Sequence, residues 1–272
     1  MRCRSRVPVI ITLVAASLAF QPPARAATTV AFQRIKATGV AVNVVTVDLN
    51  SPNVRVTPAI AKAGIGTAES FRSIMRRTQP AAAINGTFFC TRTLKPTGDI
   101  VIDGHLLARG SRGTAVAIGP GNKVTFLPSR LTGVYRWDRY DHVLAAGPAL
   151  VLRGRTIVHP RNEGFGSGVH YSRRIRSAVG LTYHNKLVMV STRRPVYLSE
   201  LARVMKRLKC VDAAALDGGS STGLYCKGKI IANPSRSMTN CLLVYDRVSD
   251  YEQRKSALYP TTRFTSAPPS GS

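Results

Sequence analysis

Short apolar stretches separated by turn residues recur along most of the chain, and they predict a fold built mainly of β-strands. The first two, residues 40–49 and 54–60, flank a turn sequence at residues 50–53 and predict a hairpin. A second hairpin is expected around Asp103-Gly104, because this dipeptide favours a tight two-residue turn. The other predicted strands are residues 81–84, 114–118, 123–127, 150–152, 178–182, 187–191, 211–216, 224–231 and 241–245.

Apolar residues recur at helical spacing in two segments. The first begins near Thr67, has its apolar face between residues 71 and 78, and ends before Pro80. The second runs from about Ser199 to Lys209. Because strands outnumber helices, the sequence predicts the α/β class in its mixed α+β form: a single domain with a mixed central sheet, few helices and several β-hairpins.

Each predicted helix is followed by an alanine-rich strand and then by a polar loop. The first loop is Asn85-Gly86-Thr87, and the second starts at Asp217-Gly218. If the two strands lie parallel in one sheet, both loops lie beyond the carboxyl ends of the strands, where α/β sheets bind ligands. We therefore expect the two loops to be neighbours.

The composition adds a strong positive charge to this picture. The chain has 272 residues, of which 44% are hydrophobic, enough for one globular domain with a core. The 39 Lys and Arg residues outnumber the 13 Asp and Glu residues and give a net charge of +26, which predicts attraction to anionic partners. Nucleic acid is not the expected partner, because the sequence has a single Trp, 7% aromatic residues and no recognised nucleic-acid-binding module.

The first 26 residues have the layout of a secretory signal peptide. A basic start is followed by an apolar run at residues 7–20 and by an A-x-A cleavage site at residues 24–26. We expect an exported protein, secreted or periplasmic, whose net charge falls to +22 when the four arginines of this segment are removed. An uncleaved N-terminal anchor is the alternative. No later segment resembles a transmembrane span; residues 27–248 are expected to form the domain and residues 249–272 a flexible polar tail.

Four cysteines lie beyond the signal segment, and export favours disulfides among them. Cys90, Cys210, Cys226 and Cys241 allow two disulfides in three connectivities; one disulfide with two free thiols is an equal alternative. The sequence contains no C-x-x-C pair and no closely spaced His pair, so a zinc site is not expected. No cofactor is predicted, and participation of a divalent cation is left open.

The loop at residues 217–223 carries the strongest chemical signal. Asp217 supplies a carboxylate, two glycines allow close approach of the backbone, and three hydroxyl residues follow, a combination that suits an oxyanion such as phosphate. An ordinary Asp-Gly turn is the plain alternative. Residues 219–223 also match G-x-S-x-G, the nucleophile elbow of serine hydrolases, with Ser221 at its centre. That motif requires a following helix, whereas residues 224–231 predict strand, so a serine triad is disfavoured.

Three further side chains are candidates for a site. Asn85 begins a glycosylation sequon, yet its place after a buried strand favours an amide that binds a ligand, or a structural turn. Asp99 is either a second carboxylate or the start of a hairpin. Arg176, the one closest to a strand in an arginine-rich segment, suits a phosphate or carboxylate because its planar guanidinium binds two oxygens.

Five motifs, taken together and in order, resemble the phosphodiester glycosidase family over roughly residues 40–245. They are Ile84-Asn85-Gly86-Thr87-Phe88-Phe89, Pro96-Thr97-Gly98-Asp99, Ala146-Gly147-Pro148, Arg176-Ser177-Ala178-Val179-Gly180 and Leu216-Asp217-Gly218-Gly219-Ser220-Ser221. The sequence departs from the family at Thr87, where a further glycine is common, and at Cys90, which follows the first motif directly.

This resemblance implies a mixed α/β domain that hydrolyses a sugar joined through its anomeric carbon to a phosphodiester, releasing free sugar and a phosphomonoester. The residues it implies as catalytic are Asp217, Asp99 and Arg176. Those it implies as substrate-binding are Asn85, Gly86, Gly98, Gly147, Gly218, Gly219, Ser220 and Ser221. Asp217 is expected to act as nucleophile, general base or electrostatic stabiliser, with Arg176 and the amides of Gly218 and Gly219 at the phosphate. The rival hypothesis is a non-enzymatic binder of an anionic cell-surface polysaccharide or another polyanion.

Overall fold

A computed structural model of the protein describes residues 28–128 and 136–260. The predicted signal peptide and residues 261–272 of the predicted tail lie outside this range. The described residues form seventeen β-strands in three sheets and three α-helices, which confirms the predicted mixed α+β class. None of the described helices is long and apolar enough to cross a membrane.

Most predicted strands and both predicted helices are present. Residues 30–37, 142–145 and 155–156 form strands, and residues 248–254 a helix, that the apolar pattern did not predict, and the single strand predicted at residues 224–231 is a hairpin of two strands. The strands are β1 (Val30–Ala37), β2 (Val40–Asp48), β3 (Arg55–Ile60), β4 (Ala82–Asn85), β5 (Ile100–Ile102), β6 (His105–Ala108), β7 (Ala115–Gly119), β8 (Lys123–Leu127), β9 (His142–Ala145), β10 (Ala149–Leu152), β11 (Arg155–Thr156), β12 (Ser177–Thr182), β13 (Lys186–Thr192), β14 (Cys210–Leu216), β15 (Leu224–Cys226), β16 (Lys229–Ala232) and β17 (Asn240–Tyr245). The helices are α1 (Phe71–Thr78), α2 (Leu198–Arg207) and α3 (Val248–Arg254).

The strands pair antiparallel within each sheet. The first sheet has seven strands in the order β1-β2-β13-β12-β14-β10-β11. The second has the order β16-β15-β4-β17-β3, and the third has the order β6-β5-β9-β7-β8. The predicted hairpin β5–β6 is confirmed, and the predicted strands β7 and β8, like β12 and β13, also pair as hairpins.

The first sheet is buried on both faces, which explains why its central strands are apolar at nearly every position. Leu187 and Met189 of β13 face the main core, which the other two sheets also contribute to. Their neighbours Val188 and Val190 face the apolar side of α2. Alternate side chains of one strand therefore serve two cores, as the two-residue period of a strand requires.

The hairpin predicted from residues 40–60 is wrong, although both of its strands exist. β2 pairs with β1 on one side and with β13 on the other, whereas β3 pairs with β17 in the second sheet. Both edges of β2 are occupied, so β3 cannot add to it. The turn at residues 50–53 carries the chain from one sheet to another.

The segment beyond residue 248 is also different from the prediction for as far as the structure describes it. Residues 248–254 form α3, and Tyr251 and Leu258 are buried in the main core. The Tyr251 hydroxyl donates a hydrogen bond to Asp103 in the β5–β6 turn, 3.1 Å away. The buried side chains of Tyr251 and Leu258 attach this otherwise polar segment to the core, so residues 249–260 are not a flexible tail.

The predicted disulfides are absent: the four cysteines at positions 90, 210, 226 and 241 are free thiols. Cys226 and Cys241 lie on β15 and β17, which flank β4 on opposite sides, opposite Ala82 and Asn85 respectively. Two strand spacings are about 9.6 Å, which exceeds the Cα separation that a disulfide allows. Cys210 lies in the first sheet, on β14. The number of cysteines alone was therefore not enough to predict disulfides.

Candidate active site

The two polar loops meet, as predicted, but they belong to different sheets. Asn85 ends β4 in the second sheet, and Asp217 follows β14 in the first. The Asn85 side-chain amide donates to the Asp217 carbonyl at 2.7 Å, and its oxygen accepts from the Gly223 N–H at 3.1 Å. The Asp217 N–H donates to the Gly86 carbonyl at 3.1 Å. The assumption that the strands lie parallel in one sheet is therefore wrong, although the loops are neighbours.

Asn85 itself is fully buried and joins the two loops rather than facing a ligand. The nitrogen and the oxygen of its amide both form hydrogen bonds with backbone groups. Asn85 was predicted to bind substrate, but in the structure it positions the Asp217 loop. A fully buried amide is also closed to glycan attachment in the folded protein.

A cleft of about 410 Å³ opens beside the joined loops. It is formed by the loop after β4, the loop between β6 and β7, the loop before β12, the Asp217 loop and the loop between β16 and β17. The lining residues are Phe88, Phe89, Thr91, Thr97, Arg112, Phe165, Ser167, Val169, His170, Arg174, Arg176, Asp217, Gly218, Gly219, Ser220 and Arg236. The long connection between β11 and β12 thus covers one side of the cleft.

Asp217 is the carboxylate of this cleft, with only 8% of its surface exposed. One carboxylate oxygen accepts the Gly218 N–H at 2.9 Å, and the other pairs with Nη2 of Arg236 at 3.0 Å. Burial raises the pKa of Asp217 above its ordinary value, although the Ser221 hydroxyl, Arg236 and the Gly218 N–H act in the opposite direction. The result is a carboxylate held in one orientation and made more basic than an exposed one.

The backbone amides of the glycine pair are not free for a phosphate, contrary to the prediction. The Gly218 N–H is bound to Asp217, and the Gly219 N–H donates to the Ile175 carbonyl at 2.8 Å. Gly219 has φ +61° and lies against the open cleft, so the glycine serves the turn itself. Ser220 lines the cleft and is exposed.

Ser221 is buried and does not line the cleft, although its hydroxyl is close enough to Asp217 to act on the pKa of that carboxyl. Residues 219–221 form a short 3₁₀ turn that leads into strand β15 rather than into a helix. The nucleophile-elbow interpretation therefore fails on local structure, as the strand-like sequence indicated.

Arg176 lies in the cleft wall with 4% of its surface exposed. Its Nη2 donates to the carbonyls of Val169 at 2.9 Å and Ser172 at 2.6 Å, and its Nε donates to Val196 at 3.3 Å. Burial, together with Arg174, lowers the pKa of Arg176 to about 10, so the group is still a cation at neutral pH. Among the described residues it has no carboxylate partner, which leaves its charge available to an anionic ligand.

Asp99 is buried outside the cleft, so the structure does not bring the two predicted carboxylates together. Its oxygens accept the Gly110 N–H and the Trp137 indole N–H, both at 2.6 Å. These contacts fix neighbouring loops, and the predicted catalytic role is replaced by a structural one.

The remaining predicted glycines act through packing and not by direct contact with the cleft. A Cβ at Gly147 would lie 2.5 Å from the Phe88 ring, which lines the cleft. A Cβ at Gly86 would overlap the Asn240 side chain, and one at Gly98 would lie 2.5 Å from the Ala145 carbonyl oxygen. Their small size lets the loops around the site approach one another closely.

No pattern in the sequence pointed to two side chains that line the cleft, Arg236 and His170. Arg236 pairs with Asp217, and its guanidinium carbon lies 4.2 Å from the Phe89 ring centroid. It comes from an irregular polar loop in an arginine-rich chain, so no local pattern distinguished it.

His170 is buried among aromatic rings, with centroids 5.1 Å from Phe88 and 5.0 Å from Phe165. Burial, Arg176 and Arg112 lower its pKa to about 4, so the imidazole is neutral at neutral pH. Its Nδ1 has no hydrogen-bond partner within the described part of the chain. The cleft therefore combines an aromatic wall with a cationic one.

Within residues 28–128 and 136–260, no group of three or more His, Cys, Asp or Glu side chains is arranged to hold a metal ion.

Comparisons with solved structures show that other proteins share this fold. A hypothetical protein from Synechocystis is 18% identical with a TM-score of 0.67; the match covers 78% of this chain and 61% of that one. The catalytic domain of zebrafish N-acetylglucosamine-1-phosphodiester alpha-N-acetylglucosaminidase, auto-inhibited by its pro-peptide, is 18% identical with a TM-score of 0.63, over 80% of this chain and 82% of that one. A putative exported protein from Burkholderia pseudomallei is 14% identical with a TM-score of 0.53, over 76% and 74%.

Comparison with curated proteins gave no match. Comparison with sequence models of protein families matched residues 78–245 to phosphodiester glycosidase. This match spans more than half of the chain, includes Asn85, Arg176 and Asp217, and agrees with the resemblance drawn from the five motifs. The chain belongs to the phosphodiester glycosidase family.

Proposed function

We propose that this protein hydrolyses the glycosidic bond of a sugar-1-phosphodiester and releases free sugar and a phosphomonoester. The observation that carries this proposal is the position of one buried carboxylate, Asp217, in a cleft whose walls are aromatic on one side and cationic on another. Family membership supports a hydrolase of this kind.

The two walls suit the two halves of such a substrate. Phe88 and Phe89 line the cleft and are partly exposed, so they offer a surface against which the apolar face of a sugar ring can pack, and Phe165 and His170 support Phe88 from behind. The imidazole of His170 is neutral and supports this aromatic wall, because its ring packs against both Phe88 and Phe165. Arg176, already fixed by backbone carbonyls, can bind the phosphate without further ordering of its side chain.

Cleavage moves the electrons of the C1–O bond onto the phosphate oxygen and leaves positive charge on the sugar ring. Asp217 stabilises that positive charge and accepts the proton of the water that attacks C1, while Arg176 stabilises the negative charge on the leaving phosphate. The raised pKa of Asp217 favours the proton transfer. A phosphate is a good leaving group, so the reaction does not depend on a second carboxylate acting as general acid. This is consistent with the burial of Asp99 outside the cleft.

We also propose that the protein is exported, on the basis of the signal-peptide layout of its first 26 residues. Its substrate would then lie outside the cytoplasm.

The test is a turnover assay on a panel of sugar-1-phosphodiesters that includes a diester of N-acetylglucosamine-1-phosphate. Asp217→Asn should lower kcat/KM by about 1,000-fold, because the amide can neither accept a proton nor carry the charge. Asp138→Asn is the matched control, since Asp138 is exposed and does not line the cleft. Thermal denaturation of each variant checks folding. If Asp217→Asn retains more than about a tenth of the wild-type rate, the catalytic assignment is wrong.

A further inference from the structure

The charge of the cleft exceeds what one phosphodiester can neutralise. The lining contains four arginines, at positions 112, 174, 176 and 236, and one carboxylate, Asp217. With His170 neutral, these groups give the cleft a net charge of +3. A phosphodiester carries a single negative charge, so most of the positive charge would still be uncompensated when one such group is bound.

The structure holds Arg174 and Arg176 in place on the same side of the cleft. Arg174 exchanges two backbone hydrogen bonds with Val196, at 3.1 and 2.8 Å, which keeps the chain extended as it approaches Arg176. Side chains two residues apart in an extended segment point the same way, and both arginines line the cleft.

Arg112 comes from the loop between β6 and β7, and its aliphatic stem packs against Gly164 of the loop before β12. A Cβ at Gly164 would lie 2.9 Å from Cγ of Arg112, so this glycine leaves room for the stem. The electrostatic fields of these arginines overlap, because Arg176 and Arg112 both lower the pKa of His170 and Arg174 lowers the pKa of Arg176. Neither Arg112 nor Arg174 forms an ion pair with any carboxylate of the residues described, although like charges brought together in this way repel one another.

From this excess charge we infer that the substrate is a chain of phosphodiester-linked sugars, in which a second phosphate binds Arg112 and Arg174 while the scissile one lies between Arg176 and Asp217. This inference rests on the proposed function and specifies its substrate class. Repeated phosphates would compensate the arginines of the outer cleft, and the aromatic wall would hold the sugar next to the scissile bond.

The experiment compares two substrates with the same scissile linkage: the methyl ester of N-acetylglucosamine-1-phosphate, and a short chain of N-acetylglucosamine units joined by 1-phosphodiesters. We expect kcat/KM for the chain to be at least about 10-fold higher, and to fall more steeply with added NaCl. Arg112→Gln and Arg174→Gln should each lower kcat/KM for the chain by about 10-fold and change that for the methyl ester by less than about 2-fold.

Arg155→Gln is the matched control, because Arg155 is exposed on the edge strand β11 and lies outside the cleft lining. It removes the same charge from the protein and should change neither substrate's kcat/KM. If the two substrates are cleaved equally well, or if Arg155→Gln affects the chain as much as the cleft variants do, the inference is overturned while the proposed function stands.

A binding measurement separates the two failures. Calorimetric titration of the Asp217→Asn protein with the short chain reports affinity without turnover. Binding that weakens about 10-fold in the Arg112→Gln and Arg174→Gln backgrounds, combined with no cleavage by the wild type, would support recognition of a chain and reject the hydrolase. Binding that is insensitive to both substitutions would reject the polyanionic substrate.

Discussion

The hydrogen bonds of Asn85 predict a large and specific loss of stability for Asn85→Ala. The side chain is fully buried and satisfies two backbone groups, the Asp217 carbonyl and the Gly223 N–H. Removing it leaves both without partners, and each buried group without a partner costs about 1–3 kcal/mol. We expect a total loss of about 4 kcal/mol and a fall in Tm of about 10 °C.

Because Asn85 joins the loops of two sheets, its loss should also displace Asp217. We therefore expect kcat/KM to fall by at least about 10-fold under conditions where the variant is still folded. Urea denaturation followed by the fluorescence of Trp137 measures stability, and turnover at low temperature measures activity.

Asn43→Ala is the control, since Asn43 is also buried but, among the residues that the structure describes, makes one side-chain hydrogen bond, to Ser191 at 3.1 Å in the first sheet. It should cost about 1–2 kcal/mol and leave kcat/KM unchanged. A loss at Asn85 no larger than that at Asn43, or an Asn85→Ala enzyme with normal turnover, would refute the idea that this amide couples the two sheets.

Two further predictions concern ionisable groups. Burial lowers the pKa of His142 to about 4 from 6.5, so the unfolded chain binds a proton at this site more readily than the folded one. The free energy of unfolding should therefore fall by up to about 3 kcal/mol as the pH drops from 6.5 to 4. Urea titrations in which His142→Gln shows the same pH slope as the wild type would contradict this. Hydrogen bonds from Thr93 lower the pKa of Cys90 to about 7, whereas burial raises the pKa of Cys210 to about 12. Iodoacetamide at pH 7.5 should therefore label Cys90 before Cys210. Mass spectrometry that finds the two cysteines labelled at the same rate would contradict this difference.

Local patterns in the sequence predicted most individual elements. Phe71, Ile74, Met75 and Thr78 of α1 are all buried, as their helical spacing requires. The antiparallel hairpins also follow from short-range turn signals such as Asp103-Gly104. The helical spacing and the turn sequences depend only on residues within one element or between two adjacent elements. Both could therefore be recognised from the sequence without knowledge of the fold.

Pairing between distant elements could not be predicted in the same way. The apolar pattern of β2 and β3 is the same whether they pair with each other or with β13 and β17, so the sequence favoured the nearer partner. Equally, Asp99 follows a glycine in a family motif, but its partner Trp137 is distant in sequence, and only the fold shows that the carboxylate is used there.

The candidate site was predicted where its residues lie within recognisable motifs, as Asp217 and Arg176 do. Arg236 was missed because its importance comes from the contact with Asp217 across the cleft. His170 was missed because its character depends on burial between Phe88 and Phe165. Such properties arise from the environment that the folded chain creates around a side chain.

The way Arg176 is held has a consequence for sequence drift in the loop that precedes it. Its guanidinium is fixed by main-chain oxygens of Val169, Ser172 and Val196. Every amino acid supplies that oxygen, so exchanges at these three positions can preserve the cation so long as the path of the backbone is kept. Relatives could therefore diverge widely here, altering the shape of the cleft rim and the sugars it admits, without losing the charge at its base.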